Sequence, residues 1–323
     1  MTNCLARSTG MAAMRRNAKK ENRRASFYFP LEEDCDTHRL VALALASPYL
    51  ISMLAALTQF LGDRPSFYYP PEQVLTMKER FHLETPELLR LMVQVIRQFA
   101  VVPISNFRVG AAALGSSGAI YCGVNMEWTR VAFAQTVHAE QCCLTNAWHH
   151  REPRILMLAA SEPPCGHCRQ FMNELCGCEN LQVISKDSAP MPLHDLLPKD
   201  FGPAALEMRG IDATWQGPAL RPVGSPKVPA DLLQAALEAA QRAHVPYGTG
   251  PSGSRSTPLR HLLGCPLENA AYNPTFSPLQ VALVRMHCDH KPWTASPRRP
   301  ASCLVSSPQA PYHVVSIERV PSN

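Results

Sequence analysis

Apolar positions between residues 40 and 99 recur at helical spacing, and the pattern changes after Pro103. Leu88, Leu89, Met92, Val93, Ile96 and Phe99 share one face of a 3.6-residue repeat. Proline is tolerated just inside a helix start, because the N–H it lacks has no partner in the first turn. Pro71-Glu72 and Thr85-Pro86-Glu87 therefore read as helix starts, with Thr85 as the cap. Beyond Pro103, residues 109–114 and 119–124 are short apolar runs joined by Gly115-Ser-Ser-Gly118, a hairpin pattern. A helix at 136–148, a strand at 154–160, a helix at 166–175 and a strand at 181–185 are expected next. Strands alternating with helices imply a layered α/β domain. Residues 206–229 carry no convincing period except near Ile211 and read as a linker, and a second helix is expected from Asp231 to about Ala243.

One stretch is long enough to span a bilayer. Residues 40–61 contain no charge, but Ser47, Pro48, Ser52, Thr58 and Gln59 interrupt them. A packed helical pair broken at Pro48 is the expectation, and no membrane association.

Charge changes the picture through its distribution. The net charge is +5, yet residues 1–30 alone carry +6 (Arg7, Arg15, Arg16, Lys19, Lys20, Arg23 and Arg24 against Glu21) and the remaining 293 residues carry −1. A folded body near neutrality is a poor polyanion receptor, so no nucleic-acid partner is expected. The tail lacks apolar periodicity and reads as disordered, and no secretory h-region is visible. A cytoplasmic location is expected, with an organellar one as the alternative because the tail is rich in arginine and poor in acids. The 12 cysteines among 323 residues are irregularly placed, which fits a reducing compartment and metal or packing roles better than a disulfide framework.

One constellation carries chemistry: His138-Ala-Glu140, then Pro164-Cys165-Gly-His-Cys168. Two cysteines three apart at a helix start put both sulfurs on one side of its first turn. A histidine from a second helix start completes three zinc ligands and leaves a fourth position for water. The pattern H-x-E…P-C-x-x-C is a known signature of zinc-dependent base deaminases. Glu140, two residues from a ligand, is placed to move protons rather than to coordinate. His167 is expected to point away from the metal, and His149-His150 to serve as positive charge at a helix C-terminus. The remaining cysteines read as buried or incidental thiols.

The chain resembles the two-domain, homodimeric cytidine deaminases of bacteria and plants over roughly residues 40–290. The resemblance rests on Ser105-Asn-Phe-Arg-Val-Gly110, Gly123-Val-Asn-Met-Glu127, Thr136-Val-His-Ala-Glu-Gln141, the eleven residues from Cys165 to Leu175, and Leu197-Pro-Lys-Asp-Phe-Gly-Pro203. It implies a three-layer α/β/α catalytic domain at 101–205 after an N-terminal helical segment at 31–100. A degenerate repeat of the same fold is implied at 230–323. It also implies one Zn2+ per chain on His138, Cys165 and Cys168, with Glu140 catalytic. Asn125 and Glu127 would bind the ribose 3′-hydroxyl, and Phe107 and Phe201 would face the pyrimidine, Phe201 from the partner subunit. The repeat is visible as Val102-Pro103 recurring at Val245-Pro246, Arg108-Val-Gly110 at Pro251-Ser-Gly253, and Glu127 at Glu268. A constant offset of 141 then places Leu279 opposite His138 and Val281 opposite Glu140, so the repeat should lack both metal and proton transfer. Hydrolytic deamination of cytidine and 2′-deoxycytidine is the implied reaction. A polynucleotide cytidine deaminase, or a zinc-containing interaction protein that has lost catalysis, stands as the alternative.

Overall fold

The computed structural model of the protein describes residues 48–186, 188–222, 230–248, 264–290 and 317–319. The basic tail, residues 40–47 and Pro251–Gly253 lie outside the described residues. Among the described residues, the helical segment forms as expected from Pro48 on. Helix α1 (Pro48–Leu61) starts at the proline, α2 (Pro71–Phe81) follows a two-residue strand β1 (Tyr68–Tyr69), and α3 spans Thr85–Ile96. Thr85 is the first helical residue rather than the cap, which is Glu84 in extended conformation. No described helix is long and apolar enough to cross a membrane.

Strands β2 (Gly110–Gly115), β3 (Ile120–Val124), β4 (Ile155–Ala160), β5 (Gln182–Ser185) and β6 (Met191–Pro192) join β1 in one sheet of order β1-β3-β2-β4-β5-β6. Only β4 and β5 pair in parallel. Side chains alternate between the faces of a sheet, and two glycines show what covers each face. In the β2–β3 register Gly110 faces Val124 and Ala111 faces Gly123, so Gly110 and Gly123 lie on opposite faces. A Cβ on Gly110 would come within 2.6 Å of the Val93 carbonyl in α3. One on Gly123 would meet the Cys143 amide at 2.2 Å, in α4 (Ala139–His149). Two helices thus press their backbones onto the two faces, giving the three-layer α/β/α arrangement. The sheet strands supply small residues where the helices approach: Ala111, Ala112, Ala113, Ala159 and Ala160 are all buried.

Helix α5 (Gly166–Met172) follows β4, and the short helix α6 (Leu193–Leu196) follows β6. Within the expected linker, Ile211 and Ala213 are buried, and Ile211 bridges Leu175 in parallel. Strand β7 (Leu220–Pro222) pairs antiparallel with β8 (Ile317–Arg319). Helix α7 spans Ala230–Gln241 and α8 spans Pro278–Cys288.

The repeat superimposes on the catalytic copy in its hydrogen bonds. Val101 bridges Met126, which bridges Val137; His244 bridges Leu267, which bridges Phe276, in the same orientations. Glu127 N donates to Val101 O at 2.8 Å, as Glu268 N does to His244 O. The segment from Glu268 to Phe276 is two residues shorter than that from Glu127 to Val137, and this shifts the correspondence. Ser277, not Leu279, stands where His138 stands, each as the extended N-cap of an 11-residue helix. Leu279, not Val281, then takes the place of Glu140, and Gln280 that of Gln141. Pro266 replaces Asn125, since His244 N donates to Pro266 O as Val101 N does to Asn125 O. The repeat lacks both chemical groups as expected, although the residues that replace them differ from those the constant offset picks.

Candidate active site

His138 and Cys165 occupy equivalent places in different elements: each is the extended N-cap residue of a helix, α4 and α5 respectively. Cys168, one turn into α5, is fully buried, whereas Cys165 is exposed. The His138 Nδ1 atom lies 3.5 Å from Cys165 Sγ and 3.4 Å from Cys168 Sγ. A tetrahedral zinc with Zn–N of about 2.0 Å and Zn–S of about 2.3 Å requires N···S separations near 3.5 Å. The donor set and its spacing therefore fit zinc, and these three form the one group of potential metal ligands among the described residues. The Cys165 thiol is held down to about 3, first by its hydrogen bond with Cys168 and then by that with His138. Cys168 is pushed well up by the same bond and by burial. Cation binding would favour the thiolate form of both cysteines.

Glu140, in the first turn of α4, is buried, and burial raises its carboxyl above the usual range, in spite of a hydrogen bond with Cys168. A carboxyl that is held near the metal ligands but outside their group, and that readily takes a proton, is equipped for general acid–base work.

The residues expected at the sugar also hold the backbone around the site. Asn125 Oδ1 accepts from Val109 N and its Nδ2 donates to Phe107 O, both at 2.8 Å. Glu127 Oε2 accepts from the amides of Ile104 and Ser105, and Oε1 from the Ser105 hydroxyl at 2.5 Å. Glu268 accepts the Tyr247 and Gly248 amides in the same way, so the turn-holding role survives in the copy without the chemistry. An amide carries two lone pairs and two hydrogens, and a carboxylate about four acceptor positions, so each side chain keeps capacity for a ligand. Phe107 and Phe201 are 54% and 49% exposed, at odds with core packing.

Four residues near the site escaped sequence reasoning. Phe133, five residues before His138, is 79% exposed. Gln141 Oε1 accepts from His138 N at 3.3 Å, and its Nε2 lies 3.1 Å from His167 Nε2. His167 is thus outside the metal group, as expected, but has a partner of its own. Gln280 and Ser277 of the repeat reach the segment before His138. Capping residues at N3 were a usable signal for the two glutamines; nothing local marks the contacts between the repeats.

The expectation for His149 and His150 is corrected. Burial pushes the His149 imidazole down to about 3, so it is neutral, and its Nε2–H donates to Val281 O at 3.2 Å. His150, also lowered by burial, stacks on Tyr68 at 4.1 Å. Packing of α8 against the end of α4 removes solvent from His149, while His150 stays exposed and packs on Tyr68.

A three-layer α/β/α domain with His, Cys and Cys at two helix starts, and a buried glutamate beside them, defines a zinc-dependent base deaminase. Residues 84–184 match the family model described as cytidine and deoxycytidylate deaminase zinc-binding region, and residues 193–297 match a second model of the same description. The chain is 37% identical over 252 residues to a cytidine deaminase of Cronobacter sakazakii, covering 75% of this chain and 82% of that protein. It is 40% identical over 218 residues to one of Yersinia pseudotuberculosis, covering 66% and 72%. A solved structure of cytidine deaminase from Mycobacterium tuberculosis aligns with 37% of this chain and 99% of its own, at 32% identity and a TM-score of 0.34. The chain belongs to the cytidine deaminase family.

Proposed function

We propose that this protein hydrolyses cytidine and 2′-deoxycytidine to uridine and 2′-deoxyuridine with release of ammonia, as a pyrimidine-salvage hydrolase. The observation that carries this reading is the buried Glu140 beside the His138–Cys165–Cys168 group. Zinc held there supplies a water whose pKa is lowered toward neutrality. Glu140 would take one proton from the attacking water and pass it to the ring nitrogen, then take the second from the hydroxyl now on C4 and pass it to the amine, which departs as ammonia as the carbonyl forms. Asn125 and Glu127 hold the sugar 3′-hydroxyl with the acceptor and donor capacity their backbone contacts leave free. Phe107 and Phe201 are apolar surfaces for the pyrimidine, and their exposure supports a site closed by a second copy of the chain. We infer a homodimer with one zinc per chain, in a cytoplasmic setting. In this reading the catalytic domain covers 101–205, and the repeat at 230–323 is inert.

Incubation of zinc-loaded protein with cytidine, deoxycytidine, deoxycytidine monophosphate and single-stranded DNA tests the proposal. Turnover of the nucleosides is expected. Turnover of the DNA alone supports the polynucleotide reading, and no turnover at all supports a zinc-containing interaction protein.

A further inference from the structure

The repeat lacks a metal site of its own, yet the helix start that corresponds to the ligand-bearing one grips the approach to the site of the catalytic copy. Gln280, buried at the start of α8, directs its amide nitrogen at two carbonyls of the catalytic copy: Ala134 O at 3.3 Å and Thr136 O at 3.2 Å. Its Oε1 is fixed by the Ser277 amide at 3.0 Å and the Ser277 hydroxyl at 2.8 Å. The Ser277 hydroxyl also lies 3.4 Å from Gln135 Oε1. The gripped segment includes a single 3-10 turn, Phe133–Gln135, and leads directly to His138. On its other side Val137 is tied to Met126 by two backbone bonds, but Ala134 O and Thr136 O are held by the repeat. Gln280 is the counterpart of Gln141, the glutamine that fixes the His138 amide from within the catalytic copy. One position, used twice, thus holds the histidine's amide in one copy and the segment leading to it from the other.

We propose that Gln280 is a positioning residue for the deaminase site. Its amide fixes the 134–136 segment so that His138 Nδ1 stays aligned with the two sulfurs. This deepens the functional reading above and rests on His138 being a zinc ligand. Gln280→Glu is the discriminating change, because a carboxylate still accepts from Ser277 but turns acceptor against acceptor at Ala134 and Thr136. Val284→Ala is the control, because it loosens the buried face of α8 and leaves Ser277, Gln280 and their bonds in place.

The test is the rate at which full-length zinc-loaded protein surrenders zinc to a chelator, with hydrogen exchange across residues 133–138. Gln280→Glu is expected to release zinc at least tenfold faster and to exchange faster in that segment. Val284→Ala is expected to melt lower while releasing zinc within about twofold of the unsubstituted protein. If the glutamate variant does not fold, Gln280→Ala provides the same comparison with a smaller expected gain, about threefold. Wild-type zinc release and exchange in either folded Gln280 variant, or equal acceleration by Val284→Ala, would overturn the proposal. Both readouts need no substrate, so a failure to deaminate cytidine would be told apart from a failure of this inference.

Discussion

Glu140 and the cysteines of α5 separate proton transfer from metal retention. Glu140→Gln keeps the volume of the side chain and removes the proton acceptor. It should leave zinc content unchanged and lower kcat by a factor of about 10²–10⁴, the usual contribution of a positioned acid–base group. Zinc analysis and cytidine turnover on the same sample check this, and near-normal turnover would move the proton-transfer role elsewhere. Cys165→Ser should instead bring zinc close to zero per chain and lower the melting temperature, since metal ligation couples to folding. At this scale the sequence was most legible where chemistry demands unusual residues: His138, Glu140, Cys165 and Cys168 stood out by type and spacing. Asn125 and Glu127 were legible only in part, because their bonds to Phe107, Val109, Ile104 and Ser105 depend on how the loop folds back. His149 was misread because its neutrality comes from a helix 132 residues further along the chain.

Helices α5 and α8 are where the two copies meet, and both ends of that contact are testable. Glu174, just past α5, is fully buried and accepts from His244 Nε2 at 3.1 Å, Tyr247 OH at 2.6 Å and Ala270 N at 2.9 Å. Glu174→Ala would leave three donors of the repeat without an acceptor, at a cost of about 3 kcal/mol in stability, read by urea unfolding. The α4–α8 contact predicts acid sensitivity. Burial first, then Arg285 and Arg242, depresses His149 to about 3, and burial depresses His287 to about 4. The unfolded chain takes up these protons below the ordinary histidine value of about 6.5, but the folded chain does not. Stability from this contact is therefore complete above pH 6.5 and falls as pH drops toward 4. Unfolding midpoints at pH 7.5 and 5 should differ less in His149→Gln than in the unsubstituted protein. An equal difference would place the acid sensitivity elsewhere. Helix and strand positions were readable from apolar spacing, and the hairpin at 110–124 came out within a residue or two. The pairing of the repeat was not, because a two-residue deletion between Glu268 and Phe276 leaves no trace in a constant offset.

The whole molecule is a catalytic α/β/α layer joined to a copy that keeps the bonding frame and lacks the chemistry. Pro266, Ser277 and Leu279 stand where Asn125, His138 and Glu140 stand. Because Glu174, Gln170 and the 134–136 segment are all held by the repeat, residues 48–229 expressed alone should fold poorly or lack activity. An active, folded form of that fragment would show that these contacts are dispensable. The repeat itself was visible in the sequence through Val245-Pro246 and Glu268. The contacts by which it braces the catalytic copy were not, since they join groups 70 to 146 positions apart. The most direct measurement is cytidine turnover as a function of bound zinc, from metal-free protein to saturation. Turnover should rise in proportion to zinc and level off at one ion per chain; turnover independent of zinc, or a requirement for two ions per chain, would contradict a single catalytic site in the first repeat.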